Sequence, residues 1–262
     1  MCYNSAKMFS FAYKNIDFSH KLDNSSSPTE HYYKHMHTFN EIIFFVKGNV
    51  DFTIESETRR MKAGDIVYIA PGKYHFATVD NSAPYERYVL KFPNSLIPEF
   101  IKDKLFGYPA FFGNGSFLAL NFKQLDYYKE NFNDEELYTL FMCETMKLIV
   151  MLCQEPIHAS FKANKFIDQI IRYVEEHIRE PISLDTFVNE FNFSKSYISN
   201  EFKNQMKIPI MHYVRSKKII AAHQLILNGH KKSDVAEMFG FENYSTFYRA
   251  YQKMLEAEIT ST

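Results

Sequence analysis

The chain has 262 residues, with 30 Lys and Arg against 31 Asp and Glu, and a formal net charge of −1. That length is generous for one domain and suits two, and a hydrophobic content of 46% allows each half a buried core. No apolar stretch is long enough to cross a membrane as a helix, and Met1 to Asn15 has no apolar run behind a basic stretch, so no secretory leader is expected. Cys2, Cys143 and Cys153 are odd in number and lack metal-ligand spacing. Cys143 and Cys153 fall on one predicted helix about 15 Å apart, too far for a disulfide, and reduced thiols suit the cytosol.

Residues 24–29, Asn-Ser-Ser-Ser-Pro-Thr, read as a loop. From about residue 38 the pattern is short, β-rich and punctuated. Glu41 to Val46 is an apolar run ended by Lys47-Gly48-Asn49, and Val50 to Ile54 alternates. Ala63-Gly64-Asp65 turns the chain into Ile66 to Ala70, Pro71-Gly72 closes that run, and Arg87 to Phe92 gives a further strand. Strands of this length and spacing predict a sandwich or barrel. Beyond Pro93, Leu96 to Phe106 and Glu135 to Gln154 read as helices, and the second is apolar on more than one side, which suits a dimerisation helix. Residues 156–164 read as a linker.

The remainder is helical in pattern. Lys165 to Arg179 is amphipathic and stops before Pro181. Ser183 and Ser194 are predicted N-caps, Pro209 opens a longer helix to Leu227, Asn228-Gly229 ends it, Ser233 starts the next, and a last helix begins near Tyr244. From Ser194 to Lys253 there are ten Lys and Arg against four Asp and Glu, a net of +6 that leaves −7 elsewhere. Such a basic segment suits a polyanion-binding face.

This segment contains a weak duplication. Phe191-Asn192-Phe193 pairs with Phe239-Gly240-Phe241, and Phe187-Val188 with Val235-Ala236. Ser196-Tyr197-Ile198 pairs with Ser245-Thr246-Phe247 after one extra residue in the second turn. Each copy reads as helix, tight turn, helix. Asn192 and Gly240 tolerate the left-handed backbone such a turn needs, and Phe193 and Phe241 are expected to plug the cores. The second helix of each copy offers a polar face of the kind that enters a major groove.

Here the sequence resembles the AraC/XylS family of regulators. Ile182 to Asp185 and Phe191 to Lys203 resemble that family's first helix-turn-helix unit. Tyr213-Val214, Lys218-Ile219, Ala222 and Leu225-Ile226 resemble its connecting helix. Val235-Ala236, Gly240-Phe241, Ser245, Phe247, Arg249 and Tyr251 resemble its second unit. The resemblance spans about residues 165–255 and implies two recognition helices in successive major grooves. It implies that Ser196, Ser199, Asn200, Tyr244, Ser245, Thr246 and Arg249 face bases. Lys195, Lys203, Lys217, Lys218 and Lys253 are the expected phosphate contacts. The sequence departs from the family at Asn200, where Arg is usual, and at Val188, where Ala is usual. Its close also differs, Leu-Glu-Ala-Glu-Ile-Thr-Ser-Thr replacing a Gly, Ser-Pro and Tyr-Arg pattern, so the last helix is expected to be absent or altered.

His35-Met36-His37, Glu41 and Gly48, then Gly64, Pro71-Gly72 and His75, resemble the two motifs of the cupin barrels, which also form the N-terminal half of many AraC-type regulators. His35, His37, Glu41 and His75 have three open readings: hydrogen-bonded barrel structure, a small-molecule pocket, or a transition-metal site. They are carried forward as ligand-pocket candidates, with no metal, cofactor or catalytic residue assigned.

The expected fold is α+β and multidomain. A cupin-like β-barrel of jelly-roll type occupies 1–95, a helical extension 96–155, and an all-α double helix-turn-helix domain 165–262. The expected function is sequence-specific transcription regulation in the bacterial cytoplasm, at the nucleoid. The expected partners are double-stranded DNA, a small-molecule effector and a second copy of the chain, with no membrane. The competing reading is a cupin metalloenzyme with an appended helical domain.

Overall fold

The structure, a computed structural model, describes residues 6–23, 34–80, 82–107, 111–113, 118–154 and 162–260. The loop expected at 24–29 and most of the linker at 156–164 lie outside these residues.

The first half is built on two antiparallel sheets. β3 (Asn40–Lys47) sits inside a six-stranded sheet, between β8 (Tyr85–Phe92) and β6 (Ile66–Ile69). β2 (Ile16–Asp23) and β1 (Ala6–Tyr13) extend it beyond β8, and β9 (Phe111–Phe112) extends it beyond β6. The second sheet runs in the order β10 (Lys162–Ala163), β5 (Glu57–Arg60), β4 (Asn49–Ile54), β7 (His75–Asp80). β3 reads as an unbroken apolar run because both of its faces are covered. Successive side chains alternate between faces. Ile42 and Phe44 join one core with Phe18, Tyr88 and Leu90, while Ile43 and Phe45 join another between the sheets with Phe52, Val67 and Val89. The hairpin from β3 to β4 turns at Gly48, where φ is +131° and a Cβ would meet the Tyr85 Cα at 3.1 Å.

The outer core is closed by helices. The helix expected from Leu96 to Phe106 is interrupted. Pro98 disfavours a helical residue before it, so a 3-10 turn at 94–96 leads to an extended Ile97, and α1 (Glu99–Gly107) begins afterwards. α2 (Ala119–Asn131) and α3 (Asp134–Leu152) form a hairpin. α3 starts on a capping box in which the Asn133 side chain accepts from the backbone of Glu135 and Glu136 while Glu136 accepts from the Asn133 amide. Leu137, Phe141, Leu148, Ile149 and Leu152 face the sheet. His20 binds this layer to the barrel. Its ring stacks on Tyr88 with centroids 3.9 Å apart, and its nitrogens lie 3.0 Å from Asp126 of α2 and 3.0 Å from Glu86 of β8.

β10 pairs with β5 through Lys162↔Thr58 and Ala163↔Glu57, so the end of the expected linker is an edge strand. Beyond it the chain is helical: α4 (Lys165–Glu176), α5 (Leu184–Phe191), α6 (Lys195–Met206), α7 (Ile210–Leu227), α8 (Lys232–Met238) and α9 (Tyr244–Thr260). Ser183 and Ser194 cap α5 and α6 as expected, and the turns after α5 and α8 contain left-handed Asn192 (φ +57°) and Gly240 (φ +68°). One expectation is corrected. Phe193 does not plug a core but lies 44% exposed against Phe166 and Tyr197, because Phe187 and Phe202 already fill that core. The helix expected to start at Ser233 begins one residue earlier, at Lys232, and the Ser233 hydroxyl donates to Asp234. In the closing region, expected to be altered, α9 itself continues to Thr260.

Candidate nucleic-acid interface and interdomain cavity

The two helix-turn-helix units are α5–α6 and α8–α9, joined by α7. In α6, every third or fourth side chain faces inward, so Ile198, Phe202 and Met206 are buried. The opposite face presents Lys195, Ser196, Asn200 and Lys203 in the open, with Ser199 half-buried. Asn200 donates to Ser196 at 3.4 Å, and Lys195 pairs with Asp185 at 2.7 Å. In α9, Phe247 and Tyr251 anchor the helix while Tyr244, Ser245, Arg249 and Lys253 are exposed and Thr246 is half-buried. Arg249 donates to the Ser245 carbonyl of its own helix at 3.3 Å.

Lys217 and Lys218, expected at phosphates, are not on this face. Lys217 is 8% exposed. Its ammonium donates to Glu55 at 3.1 Å, to the Gly72 carbonyl at 3.1 Å and to Glu175 at 2.7 Å. Burial lowers its pKa, but Glu55 and Glu175 outweigh this and the net shift is upward. Lys218 donates to the carbonyls of Glu180 and Phe239 at 2.5 and 2.8 Å, which closes the end of α8. Sequence shows the charge of these lysines but not the distant acceptors that draw them inward.

Glu55 occupies the turn between β4 and β5 with φ +52°, and it accepts from Tyr213 of α7 at 2.8 Å and from the Tyr74 amide at 3.1 Å. Tyr74 and Phe76 share one core with α4 to α7. At Gly72 a Cβ would stand 3.3 Å from Ile220. The barrel and the helical domain are therefore docked through a packed, charged seam, which the sequence reading missed.

Beside this seam lies a cavity of about 1070 Å³ shared by both halves. His35, His37, Glu41 and His75 all border it, and so do Thr246, Arg249 and Lys253 of α9. Its basic lining is Lys21, Lys34, Arg87 and Lys91 from the barrel and Arg215, Arg249 and Lys253 from the helices, against the single carboxylate of Glu41. Arg87 pairs with Asp23 at 2.6 Å and Lys91 with Asp17 at 3.5 Å. Burial, with Arg87 and Lys91 beside it, brings Lys21 down to about 8. Ile43, Phe52, Val89, Ile219 and Met254 give the cavity an apolar body.

The four candidates named from sequence meet at one wall. His37 Nε2 and His75 Nε2 stand 3.2 and 3.4 Å from the same oxygen of Glu41. Burial would raise the Glu41 carboxyl, but the two imidazoles hold it well below the ordinary range, and burial lowers His37. One ring nitrogen from each of His35, His37 and His75 falls within 4.8 Å of the others. An oxygen and several imidazole nitrogens converging in this way form a donor set suited to a transition metal.

A double-sheet barrel with a helical hairpin, followed by twin helix-turn-helix units, defines a two-domain protein with a ligand-type cavity and a DNA-binding type of helical array. Comparison with known families agrees. Residues 25–125 match the AraC-like ligand binding domain and residues 187–261 match a helix-turn-helix domain. The chain pairs an AraC-like ligand binding domain with a helix-turn-helix domain, the make-up of an AraC-type regulator. It is similar to an uncharacterized HTH-type transcriptional regulator, YbfP, of Bacillus subtilis, at 30% identity over 91 residues, covering 34% of this chain and 31% of that protein. It is also similar to the transcriptional regulatory protein HptR of Staphylococcus aureus, at 23% over 91 residues, covering 35% and 36%. The chain spans about a third of the length of these curated relatives. Among solved structures it is similar to the AraC-like transcriptional activator CuxR (TM-score 0.42, 14% identity, 87% of this chain and 83% of that one). It is also similar to unsaturated fatty acid-bound ToxT from Vibrio cholerae (TM-score 0.39, 12% identity, 85% and 86%). Among the described residues, no helix is long and apolar enough to cross a membrane.

Proposed function

We propose that the chain is a sequence-specific DNA-binding transcription regulator of the bacterial cytoplasm, acting at the nucleoid, whose second reading helix is controlled by a small organic anion in the interdomain cavity. The observation that carries this reading is that Thr246, Arg249 and Lys253 border the same cavity as His35, His37, Glu41 and His75. A side chain turned toward the barrel cannot simultaneously reach base edges, so the docked arrangement is the form with weak operator affinity. Ser196, Ser199 and Asn200 read the first half-site, and Tyr244, Ser245, Thr246 and Arg249 the second. Lys195, Lys203 and Lys253 contact phosphates. The surplus of basic groups over Glu41 selects an anionic effector, and the apolar walls select one with a hydrocarbon or aromatic body.

The regulator acts as a homodimer through the α2–α3 hairpin. Thr139, Cys143, Met146 and Val150 are all exposed at spacings of four, three and four residues, and Leu120, Gln124, Tyr127 and Asn131 repeat that spacing on α2. Stripes of this kind suit helix-to-helix pairing between two copies.

Mobility shift of the full chain on the DNA upstream of its own coding region, against random DNA of equal length, tests the assignment. Specific binding that falls steeply with salt is expected. No binding to either DNA at low salt, or equal binding to both, overturns it.

A further inference from the structure

We propose that Lys21 is a covalent capture site, whose amine condenses with the carbonyl of a ketone or aldehyde that also carries an acid group and is held in the interdomain cavity. This rests on the reading that the cavity takes a small organic anion, and it adds the functional group that the anion carries. Side chains two apart on a strand share a face. β2 therefore sets Asp17, Ser19, Lys21 and Asp23 on one side, and Lys21 borders the cavity. In the register with β8, Lys21 stands opposite Arg87 and Asp17 opposite Lys91. Asp23 pairs with Arg87 at 2.6 Å and Asp17 with Lys91 at 3.5 Å. The carboxylates before and after Lys21 are thus each held by a cation of β8. Among the described residues, none stands within ion-pair distance of the Lys21 ammonium.

An ammonium drawn out of water without a counter-charge is costly, and losing its proton relieves the cost. Burial first, then the charges of Arg87 and Lys91, outweigh Asp17 and Glu41 and bring Lys21 down to about 8. A lysine desolvated beside other cations is the arrangement that makes this side chain a nucleophile. The other lysines of the cavity lack it. Lys91 has Asp17 as its partner, and Lys34 and Lys253 are exposed. The chemistry is a simple condensation. The nitrogen lone pair of Lys21 adds to the carbonyl carbon, and the carbonyl oxygen then leaves as water with two protons, both from the amine. A carbon–nitrogen double bond remains, nothing is oxidised or reduced, and no further reactant is needed. The cavity suits the rest of such a molecule. Ile43, Phe52 and Val89 offer it apolar surface, and Arg215, Arg249 and Lys253 of the helical half offer its acid group a counter-charge.

The test incubates the full chain with phenylpyruvate, an α-keto acid with an aromatic body, and cyanoborohydride, which reduces the imine to a stable secondary amine. Peptide mass mapping then reads each lysine. Near pH 7, Lys21 should be labelled at least about tenfold faster than any other lysine, because its neutral fraction there exceeds an ordinary lysine's by about two orders of magnitude. Its rate should level off near pH 8, while exposed lysines go on rising toward about 10.4. Lys21→Arg keeps the charge and should lose the fast site with the Tm and the slow labelling of other lysines unchanged. The unaltered chain decides by itself: Lys21 labelled no faster than exposed lysines overturns the proposal. Calorimetric titration with hydrocinnamate, which has the ring and the acid but no ketone, separates this from the wider reading. Hydrocinnamate binding without phenylpyruvate trapping overturns the imine and leaves the anion cavity standing. Absence of both overturns the two together.

Discussion

Lys217, on the helix that joins the two reading units, donates to Glu55 on a barrel hairpin 162 positions away in sequence. Both side chains are buried, and Tyr213 and Glu175 complete their shells. Removing one partner of a buried pair inside a single domain costs about 3–5 kcal/mol, because the other charge is stranded. Here the partners belong to different domains, so undocking returns the stranded charge to water. Glu55→Gln should therefore open the molecule rather than unfold it. The expected result is a larger radius of gyration in solution scattering, with increased affinity for specific DNA in mobility shift. A radius and affinity equal to those of the unaltered chain would contradict the role given to this seam.

Arg249→Ala should weaken specific binding by about 1–3 kcal/mol, the worth of one good bidentate base contact. Lys253→Ala should weaken specific and random DNA alike and flatten the salt dependence by about one unit of slope. Both follow from competition titrations at several salt concentrations. If Arg249→Ala loses equal affinity on specific and random DNA, its side chain contacts phosphate and not base.

How far the sequence carried these assignments depends on where each residue's partners lie. The β3 run, the two N-cap serines and the twin turns at Asn192 and Gly240 were legible because their causes are local: apolar pattern, capping and left-handed backbone. His35, His37, Glu41 and His75 were legible as a group through their resemblance to the two cupin motifs. β2 was not, because buried Ser19, His20 and Asp23 interrupt its apolar alternation. Their reason for being buried lies on β8 and α2, which hold Glu86, Arg87 and Asp126. Lys217 was misassigned for the same reason, as its charge is visible in the sequence and Glu55 is not visible as its partner.

Met146→Glu places a charge in the middle of the exposed α3 stripe, where it should cost no more than about 0.5 kcal/mol in the isolated chain, since Met146 is 42% exposed. If two copies pair through this face, the substitution buries two like charges against each other and against apolar surface. Sedimentation should then show a monomer where the unaltered chain shows a dimer, with the Tm of each fold otherwise retained. A dimer of undiminished affinity would move the interface elsewhere.

Two histidines should give the two halves opposite responses to pH. Burial lowers His20, but its hydrogen bonds to the Asp126 and Glu86 carboxylates, with their negative charge, more than compensate, and its pKa lies above 6.5. The stability it contributes is complete below 6.5 and is lost as pH rises through the raised value. His223 of α7, 2.9 Å from the Tyr251 hydroxyl, has burial as its cause and a pKa below 6.5. Its contribution is complete above 6.5 and is lost as pH falls through the lowered value. Hydrogen exchange between about pH 5 and 8, corrected for intrinsic rates, should show the α2 amides near Asp126 loosening toward the alkaline end. The amides of α7 and α9 around Tyr251 should loosen toward the acid end. His20→Gln should remove the first trend and leave the second, and His223→Gln the reverse. Parallel trends in both segments would mean that neither histidine sets the pH dependence of its own half.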